Sequence, residues 1–448
     1  MKCLGEINRK IKAGEMERMS GEEKRGREEI IREMGETREI GEFVSGKTEA
    51  WRPTAPLENL RRRAQLYRTI RAFFDRLGFV ETTTPFLSRD TVVDRFVEPI
   101  SVRVPLCWSE KDGFAERRFC ESETARREAT TFYLQTSPEF AMKRLIAAGM
   151  DAIYQLAPAC RRGDRGAWHN VEFTMLEWYR RDDDYRAGRR LLAELALGVA
   201  SQFFAETGLE PKRWAKKPVV ERTFADVFEE KTGINPHWAT CGDLRDFADR
   251  AKIAYPESYV AEEFEQTTRI SENNETGEVK EVEEKGRIEE IGEIKKGVGA
   301  GATKDDWLDL IFAEVVQPEL GADAAVVVYD YPASQSQLAK TRQEFDGERK
   351  KAFDVTERFE LFVEGVELAN GYHELLDASV LRSRIEATGE ERRRDGSGEL
   401  PRESRLLQAM EAGLPACSGC ALGVDRFFAV LIGAKSLDET LAFPIEIA

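Results

Sequence analysis

The chain contains 448 residues, with 67 Lys and Arg against 83 Asp and Glu, which gives a formal net charge of −16. Hydrophobic residues make up 41% of the chain, including 25 Phe and 7 Trp, so the composition supports a large core and excludes wholesale disorder, collagen and disulfide scaffolds. The longest apolar runs are far shorter than the roughly 18 residues of a membrane-spanning helix, and seven cysteines in so long a chain are typical of a reduced compartment, so we predict a soluble cytoplasmic protein with no membrane partner.

Two segments differ in composition from the rest of the chain. Residues 1–50 contain 11 Lys or Arg, 12 Asp or Glu, one aromatic residue and no proline. Residues 267–302 contain nine Glu, no aromatic residue and no proline. Such segments bury too little apolar surface to offset the entropy of ordering. We therefore predict a charged leader over residues 1–50, disordered or partly helical, and one large domain over residues 51–448 that carries a low-complexity charged insertion over residues 263–303.

Helical periodicity is clearest in three segments. Apolar residues recur at helical spacing over residues 60–77, and Gly78 is expected to end that helix. Residues 189–206 and 307–316 are predicted to be helical for the same reason. The predicted buried face of the first helix consists of Leu66, Ile70, Phe73, Phe74 and Leu77.

Strands are predicted where β-branched and aromatic residues cluster. Residues 324–329 and 358–364 have this composition, and Glu364-Gly365 is expected to turn the second strand into a third over residues 366–370. Helices and strands are mixed without a steady strand–helix–strand alternation. This order favours an α+β fold, with an antiparallel sheet flanked by helices, over a doubly wound parallel sheet.

Two short motifs are interpreted as carrying no chemistry. The glycines of residues 297–301 follow a Glu- and Lys-rich run and neither leave a predicted strand nor open a clear helix, so a flexible linker is a better interpretation than a phosphate loop. Cys417 and Cys420 form a single CxxC motif, and the three histidines are distant in sequence. A zinc site is therefore not predicted.

Polar residues that core packing does not require are concentrated in residues 134–144, 161–180, 360–374 and 419–426. In the predicted hairpin, Glu360 and Glu367 lie on neighbouring strands and can face the same side, where two carboxylates can hold a hard divalent cation. Carboxylates that converge with arginines suit a site for a cationic substrate and a Mg-bound triphosphate. The alternative interpretation is a set of surface ion pairs.

The blocks QTSPEFAMKRL, HNVEFTMLEWYR, YPASQSQLA, GVELANGYHELLD and CSGCALGVDRFF carry a family resemblance. The chain resembles the catalytic domain of class II lysyl-tRNA synthetases, and more closely the related elongation factor P (R)-β-lysine ligases, over about residues 51–444 apart from the insertion. The resemblance implies the class II catalytic fold and a homodimer. Motif 1 would lie at residues 78–85, motif 2 at residues 161–177 and motif 3 at residues 423–426.

The resemblance also implies a site for ATP and Mg²⁺. Arg161 would contact the α-phosphate and stabilise charge in the adenylation transition state, and Arg426 would lie against the adenine and reach the γ-phosphate. Phe173 would cover the other face of the adenine, and Asn170 would bond to ATP. The remaining roles fall to Glu360 and Glu367 as magnesium ligands, and to Leu368 and Gly423, which would let the nucleotide pack closely.

For the amino acid, the resemblance implies a pocket with carboxylates at opposite ends. Each buried ammonium of a diamine such as lysine or (R)-β-lysine needs its own partner. Glu139 and Glu374, with Tyr179, would surround the two ammonium groups. The remaining substrate contacts would come from Ser137, Asn370 and Ala421.

Two features favour the ligase branch over the tRNA synthetase branch. Residues 1–50 are too short and too poor in β-formers for an anticodon-reading OB domain, and motif 3 has Ala421 where tRNA synthetases usually have glycine. The expected acceptor is a lysine of elongation factor P and not tRNA, in agreement with the net charge of −16. The sequence leaves tRNA aminoacylation open as an alternative function.

Motif 2 departs from the family pattern. Gly163 stands where the family normally has a glutamate that binds the adenine amino group, and Asp164 is a possible substitute from the next position. Pro158 removes a strand hydrogen bond unless it lies at a sheet edge. A catalytically silent paralogue with a binding or regulatory role is therefore a second alternative.

Overall fold

The structure, a computed structural model, describes residues 51–104, 106–111, 114–119, 130–256, 259 and 301–448. The predicted leader over residues 1–50 and all but residues 301–303 of the predicted insertion lie outside this part of the chain. No helix within the described residues has the length and apolar character that crossing a lipid bilayer requires.

The described helices form from the amphipathic segments of the sequence. They are α1 (Leu57–Arg76), α2 (Glu139–Ala147), α3 (Tyr185–Thr207), α4 (Phe224–Thr232), α5 (Cys241–Arg250), α6 (Lys304–Ile311), α7 (Ala378–Arg394), α8 (Arg405–Gly413) and α9 (Val424–Ile432). The first two predicted helices are confirmed, with Gly78 at φ +75° just after α1. Leu77 is 39% exposed and so does not join the buried face of α1. The third predicted helix begins at Lys304, and its last five residues, Phe312–Val316, form a π-helical turn.

The described strands form three sheets. They are β1 (Val80–Glu81), β2 (Leu87–Ser88), β3 (Ser101–Val104), β4 (Leu106–Lys111), β5 (Phe114–Phe119), β6 (Thr130–Leu134), β7 (Ala152–Cys160), β8 (Glu172–Arg181), β9 (Val220–Thr223), β10 (Val326–Pro332), β11 (Thr341–Asp346), β12 (Lys351–Val363), β13 (Val366–His373) and β14 (Cys417–Gly423). The predicted strands at 324–329, 358–364 and 366–370 correspond to β10, β12 and β13, all of which extend further than predicted.

The central sheet of the described chain has nine strands, with β11 paired beside β12 and the other eight in the order β1-β7-β8-β14-β13-β12-β10-β9. Its interior pairings are antiparallel, whereas β1 pairs with β7 and β9 with β10 in parallel. The predicted antiparallel sheet is thus confirmed, with parallel pairs only at its two ends. The predicted turn between β12 and β13 is also present, with positive φ at Glu364 and Gly365.

Pro158 is tolerated in β7 because of where β1 ends. β1 pairs only with Ile153 and Tyr154, so the side of β7 away from β8 is open at residue 158. The missing N–H therefore breaks no ladder hydrogen bond, and the Pro158 carbonyl accepts a 2.7 Å hydrogen bond from Gln135 Nε2. Pro158 thus meets the condition stated from the sequence, that a proline in this strand costs no hydrogen bond if it lies at a sheet edge.

Helices pack against both faces of the sheet, and one face also carries a cavity between two of the helical groups. The main core joins α1, α3 and α9 to strands β8, β13 and β14, with Phe74 stacked on Tyr154 at 4.5 Å between ring centroids. A second core packs α4, α5 and α6 against β10 and β12. A third joins α2, α7 and α8. The strands whose polar residues line the cavity, β8, β12, β13 and β14, are thus held by packed helices rather than by loops.

Candidate active site

A cavity of about 580 Å³ lies over the strands that carry the motifs of the sequence. This volume is in the range of small-molecule sites. All the residues that the sequence analysis selected for substrate, nucleotide or metal line this one cavity: Ser137, Glu139, Arg161, Asn170, Phe173, Tyr179, Glu360, Glu367, Leu368, Asn370, Glu374, Ala421, Gly423 and Arg426. The structure therefore brings together residues that are up to 289 positions apart in the chain.

Arg161 follows β7 directly and points its guanidinium into the cavity. Within the described residues it forms no ion pair; its Nε donates to the Thr136 carbonyl at 3.4 Å, and its guanidinium lies 5.2 Å from the centroid of the Phe173 ring. Burial, helped by the nearby charge of Arg426, lowers the pKa of Arg161. A half-buried cation that forms no ion pair is stabilised when an anion binds beside it. The site is therefore suited to a phosphate.

The motif 2 loop presents Asp164, and not residue 163, to the cavity. Gly163 is exposed at φ +76°, and a Cβ built there meets no atom within 4 Å. Asp164 is 5% exposed and lines the cavity. A carboxylate is thus available one position after the glycine, as the sequence suggested.

Arg426 lies in the first turn of α9 and is fixed by three neighbours. It donates to the carbonyls of Trp168 at 3.0 Å and Glu367 at 3.1 Å, and its Nη2 contacts His169 Nε2 at 2.6 Å. Asn170 is buried, and its amide is bonded to the backbone of Glu172 and Ile445. These contacts hold the arginine and the loop before β8 in place at the nucleotide end.

Glu360 and Glu367 face the same cavity from β12 and β13, as the predicted hairpin requires. Glu360 is 5% exposed and accepts hydrogen bonds from Tyr331 at 2.6 Å and from Arg358. Burial and the charge of Glu367 raise the pKa of Glu360, while Arg358 opposes the shift. No group of three or more His, Cys, Asp or Glu side chains that could hold a metal occurs among the described residues. The two carboxylates still suit Mg²⁺, which proteins often bind through one or two carboxylates and the substrate's phosphates.

Glu139 and Glu374 do not lie at opposite ends of the cavity, as the sequence analysis expected. Both carboxylates contact the ammonium of Lys143, with Nζ 2.5 Å from Glu139 Oε1. The reason is helical spacing, because Lys143 follows Glu139 by one turn of α2 and reaches Glu374 at the end of β13. Burial and the charge of Glu139 raise the pKa of Glu374 to about 7, against the opposing charge of Lys143.

Glu177 and Tyr179 stand beside these carboxylates on β8. Glu177 is 1% exposed, receives a 2.5 Å hydrogen bond from Ser137 Oγ and a 3.2 Å bond from Tyr179. Burial and the charge of Glu139 raise the pKa of Glu177 to about 8. Gly419, on the neighbouring strand β14, leaves room for Tyr179 and Glu374, because a Cβ there would lie 2.6 Å from Glu374 Oε1.

Asn370 and Ala421 form opposite members of the β13–β14 ladder at the same end of the cavity. The side-chain carbonyl oxygen of Asn370 is buried and accepts no hydrogen bond from any described residue. Because a buried acceptor normally has a partner, this atom is suited to a ligand's donor.

The sequence analysis missed two residues of this site. Lys143 was overlooked because one lysine in an amphipathic helix resembles a surface residue; its spacing of four from Glu139 was the available signal. Glu177 was assigned to motif 2 but given no role. Burial raises the pKa of Glu177, and the sequence pattern did not predict that burial.

The sequence of the chain matches a known protein family. The family described as tRNA synthetases class II (D, K and N) matches residues 49–447. The chain is 32% identical over 400 residues to the elongation factor P–(R)-β-lysine ligase of Klebsiella pneumoniae, covering 89% of this chain and 99% of that protein. The proteins of the same name from Edwardsiella ictaluri and Yersinia pestis are 32% and 31% identical, covering 89% and 90% of this chain and 98% and 99% of their own length.

Proposed function

This chain belongs to the class II tRNA synthetase family (D, K and N), and on that premise we propose that it is an ATP-dependent lysine ligase. It activates lysine or (R)-β-lysine as an aminoacyl-adenylate and transfers the aminoacyl group to a lysine side chain of elongation factor P. Relatives named elongation factor P–(R)-β-lysine ligase match 89% of this chain.

The observation that carries the proposal is the convergence of two kinds of chemistry on one cavity. A magnesium-bound triphosphate is suited by two arginines and two carboxylates, Arg161, Arg426, Glu360 and Glu367. An ammonium is suited by the carboxylates of Glu139 and Glu374. Thr136 and Ser137 join the two groups, because the Thr136 carbonyl accepts from Arg161 and the Ser137 hydroxyl donates to Glu177. A cationic amino acid and ATP can therefore bind side by side.

In the first step, a carboxylate oxygen of the amino acid attacks the α-phosphorus of ATP, and pyrophosphate leaves. Negative charge grows on the phosphoryl oxygens, where Arg161 stabilises it. Arg426 holds the nucleotide in line, and Asp164 takes the place of the family glutamate toward the adenine amino group. Mg²⁺ held by Glu360 and Glu367 would neutralise phosphate charge.

The amino acid is oriented by the groups at the other end of the cavity. Glu139 and Glu374 attract the side-chain ammonium, and Tyr179 closes the pocket beside them. Asn370 supplies its unpartnered carbonyl oxygen to the substrate's other amine. In the second step, the neutral ε-amine of the acceptor lysine attacks the carbonyl carbon of the adenylate. An amide bond forms, AMP leaves and the amine releases a proton.

The proposal extends to the assembly of the protein. A homodimer is supported by exposed apolar side chains near β1, at one end of the central sheet, where Leu77 and Val80 are 39% and 51% exposed. The charge of −16 supports an acceptor other than tRNA. We also propose a cytoplasmic location and a catalytic domain over residues 51–448.

Amino-acid-dependent ATP–pyrophosphate exchange tests the activation step without any acceptor. We expect the purified protein with Mg²⁺ to catalyse exchange with α-lysine or with (R)-β-lysine, and the preferred isomer identifies the substrate. Exchange by a folded sample with neither isomer would contradict the proposal and favour a silent paralogue. Addition of elongation factor P or of tRNA to the active mixture then identifies the acceptor by mass.

A further inference from the structure

Lys143 is a buried cation beneath the amino-acid end of the cavity. It lies on α2, is 2% exposed, and its Nζ contacts both Glu139 and Glu374. The same atom lies 6.0 Å from the centroid of the Tyr179 ring. Lys143 therefore contacts two of the residues proposed to bind the substrate and lies near a third.

The lysine lies behind these carboxylates and not in the substrate's path. Glu139, Glu374 and Tyr179 line the cavity, whereas Lys143 is not among the described residues that line it. A substrate ammonium can therefore approach this pair of carboxylates from the cavity, chiefly through Glu139, because Glu374 is only 1% exposed, while Lys143 stays in contact with both.

Charge determines what this arrangement can bind. Two buried carboxylates that share one site repel each other, and each is stable only with a compensating cation. When both carboxylates are ionised, Lys143 compensates one of the two charges, which leaves a net charge of one negative on the set of Glu139, Glu374 and Lys143. Glu177, whose burial favours its protonated form, adds little to this sum.

We propose that Lys143 is the specificity and positioning residue of the amino-acid pocket. Lys143 neutralises one of the two carboxylates, Glu139 and Glu374. This set of three residues, which we call the pocket floor, then accepts a substrate chain that ends in a single ammonium. This inference rests on the proposed function, because it takes the ligand to be a lysine-like amino acid.

The proposal predicts that two harmful substitutions compensate for each other. Glu139→Gln leaves Glu374 and Lys143 with no net charge, and Lys143→Met leaves two carboxylates with no internal cation. Each single variant is expected to raise the KM for the preferred lysine isomer at least tenfold. The double variant leaves Glu374 as the only charged residue of the three, so the net charge is again one negative. We expect the KM of the double variant for lysine to be at least fivefold below that of Glu139→Gln.

The measurement is pyrophosphate exchange at one fixed pH for the wild type, both single variants and the double variant. The KM for ATP is expected to stay within twofold in all of them, since the nucleotide end is unchanged. Arg144→Met, which removes the next, exposed cation of α2, should keep the wild-type KM for lysine. If Lys143→Met does not fold, the comparison of Glu139→Gln with the double variant still decides the matter.

A merely structural lysine would give a different result. Its loss would add to the effect of Glu139→Gln, so a double variant equal to or worse than Glu139→Gln would overturn the inference while leaving the ligase proposal intact. Absence of exchange in the wild type would instead contradict the ligase proposal. In that case the dissociation constant of lysine, measured by calorimetry in the same four proteins, tests the compensation directly.

Discussion

At the scale of single residues, the structure changes the meaning of motif 2. The missing glutamate at residue 163 suggested impaired nucleotide recognition, yet the neighbouring Asp164 carries a buried carboxyl group that lines the cavity. The positive φ of Gly163 turns the chain so that residue 164 points inward. The loop thus retains an acidic side chain at the nucleotide end, displaced by one position.

We expect Asp164→Asn to raise the KM for ATP roughly tenfold or more, because a hydrogen bond to a charged group contributes about 1.5–3 kcal/mol. Gly163→Glu should bring no improvement, since the added side chain would start from a strained backbone and extend into open space. Steady-state exchange kinetics measure both effects, with exposed Asp151→Asn as the control. A lower KM for ATP in Gly163→Glu would refute this assignment.

Glu177 should make the stability of the protein depend on pH. Its pKa is about 8 in the folded state against an ordinary value of 4.5, because of burial and the charge of Glu139. Between these values the folded state binds more protons than the unfolded chain, so the free energy of unfolding falls as pH rises. Glu374 contributes in the same direction with a pKa of about 7.

In Glu177→Gln this titration is absent, so the free energy of unfolding should fall less between pH 6 and pH 8 than in the wild type. Urea unfolding at the two pH values measures the difference. The exposed Glu172→Gln on the same strand serves as the control and should keep the wild-type change. An equal pH dependence in Glu177→Gln would argue against a protonated Glu177.

At the scale of elements, strand β14 runs between the two ends of the site and contributes residues to both. Its alternate residues Gly419, Ala421 and Gly423 line the cavity and face β8 and β13 across the ladder. A Cβ at Gly419 would collide with Tyr179 and Glu374, whereas a Cβ at Gly423 would lie 3.8 Å from the nearest atom, in the side chain of Arg426. The small residues of this one strand therefore leave room at the amino-acid end and at the nucleotide end of the cavity.

The two glycines should give opposite kinetic results when replaced by alanine. Gly419→Ala displaces Tyr179 or Glu374, so we expect the KM for lysine to rise at least tenfold with little change in the KM for ATP. The Cβ that Gly423→Ala adds would meet no protein atom closer than 3.8 Å, so the fold should accept it. We expect an increase in the KM for ATP only. Measuring both constants for both variants tests the assignment, and an identical pattern in the two would contradict it.

At the scale of the whole molecule, the ends of the charged insertion meet on the core. The amide of Ala302 donates a 3.2 Å hydrogen bond to the carbonyl of Tyr259, and Tyr259 packs on Trp307 at 5.1 Å between ring centroids. The described residues that flank residues 260–301 therefore meet at one place on the domain. This supports the proposal that residues 260–301 are an insertion and not a linker between two domains.

Replacing residues 260–301 by a short Gly-Ser linker should therefore preserve the fold, since a few residues can join these neighbouring ends. We expect a melting temperature close to that of the full chain and lysine-dependent exchange within about threefold. Circular dichroism and exchange kinetics check this. A folded but inactive variant would mean that the insertion takes part in the reaction.

The proposed dimer also belongs to this scale. Val80→Asp places a charge among the exposed apolar residues beside β1, and we expect it to give a monomer by light scattering. Val220→Asp is the matched control, because Val220 is 43% exposed on β9 at the other end of the sheet. A dimer that persists in Val80→Asp would exclude this surface as the interface.

Much of the fold was predictable because short-range patterns encode it. The period of apolar residues located α1 and α3, and turn chemistry located the β12–β13 hairpin. The extents of β10 and β12 were underestimated, since pairing with neighbours extends strands into polar residues such as Lys351. The π-helical turn after Ile311 has no signal in the periodicity that predicted that helix.

The antiparallel sheet followed from the order of helices and strands in the sequence, and the resemblance of the motifs to a known family supplied most of the residues expected around the cavity, because both depend on residue types at fixed positions in the chain. Only the tertiary structure decided how those residues pair with one another. The contacts of Lys143 with Glu139 and Glu374, the raised pKa of Glu177 and the inward turn of Asp164 all depend on burial and on distances between elements far apart in the chain. Charges in a low-dielectric interior interact according to those distances, which the linear order of residues does not contain.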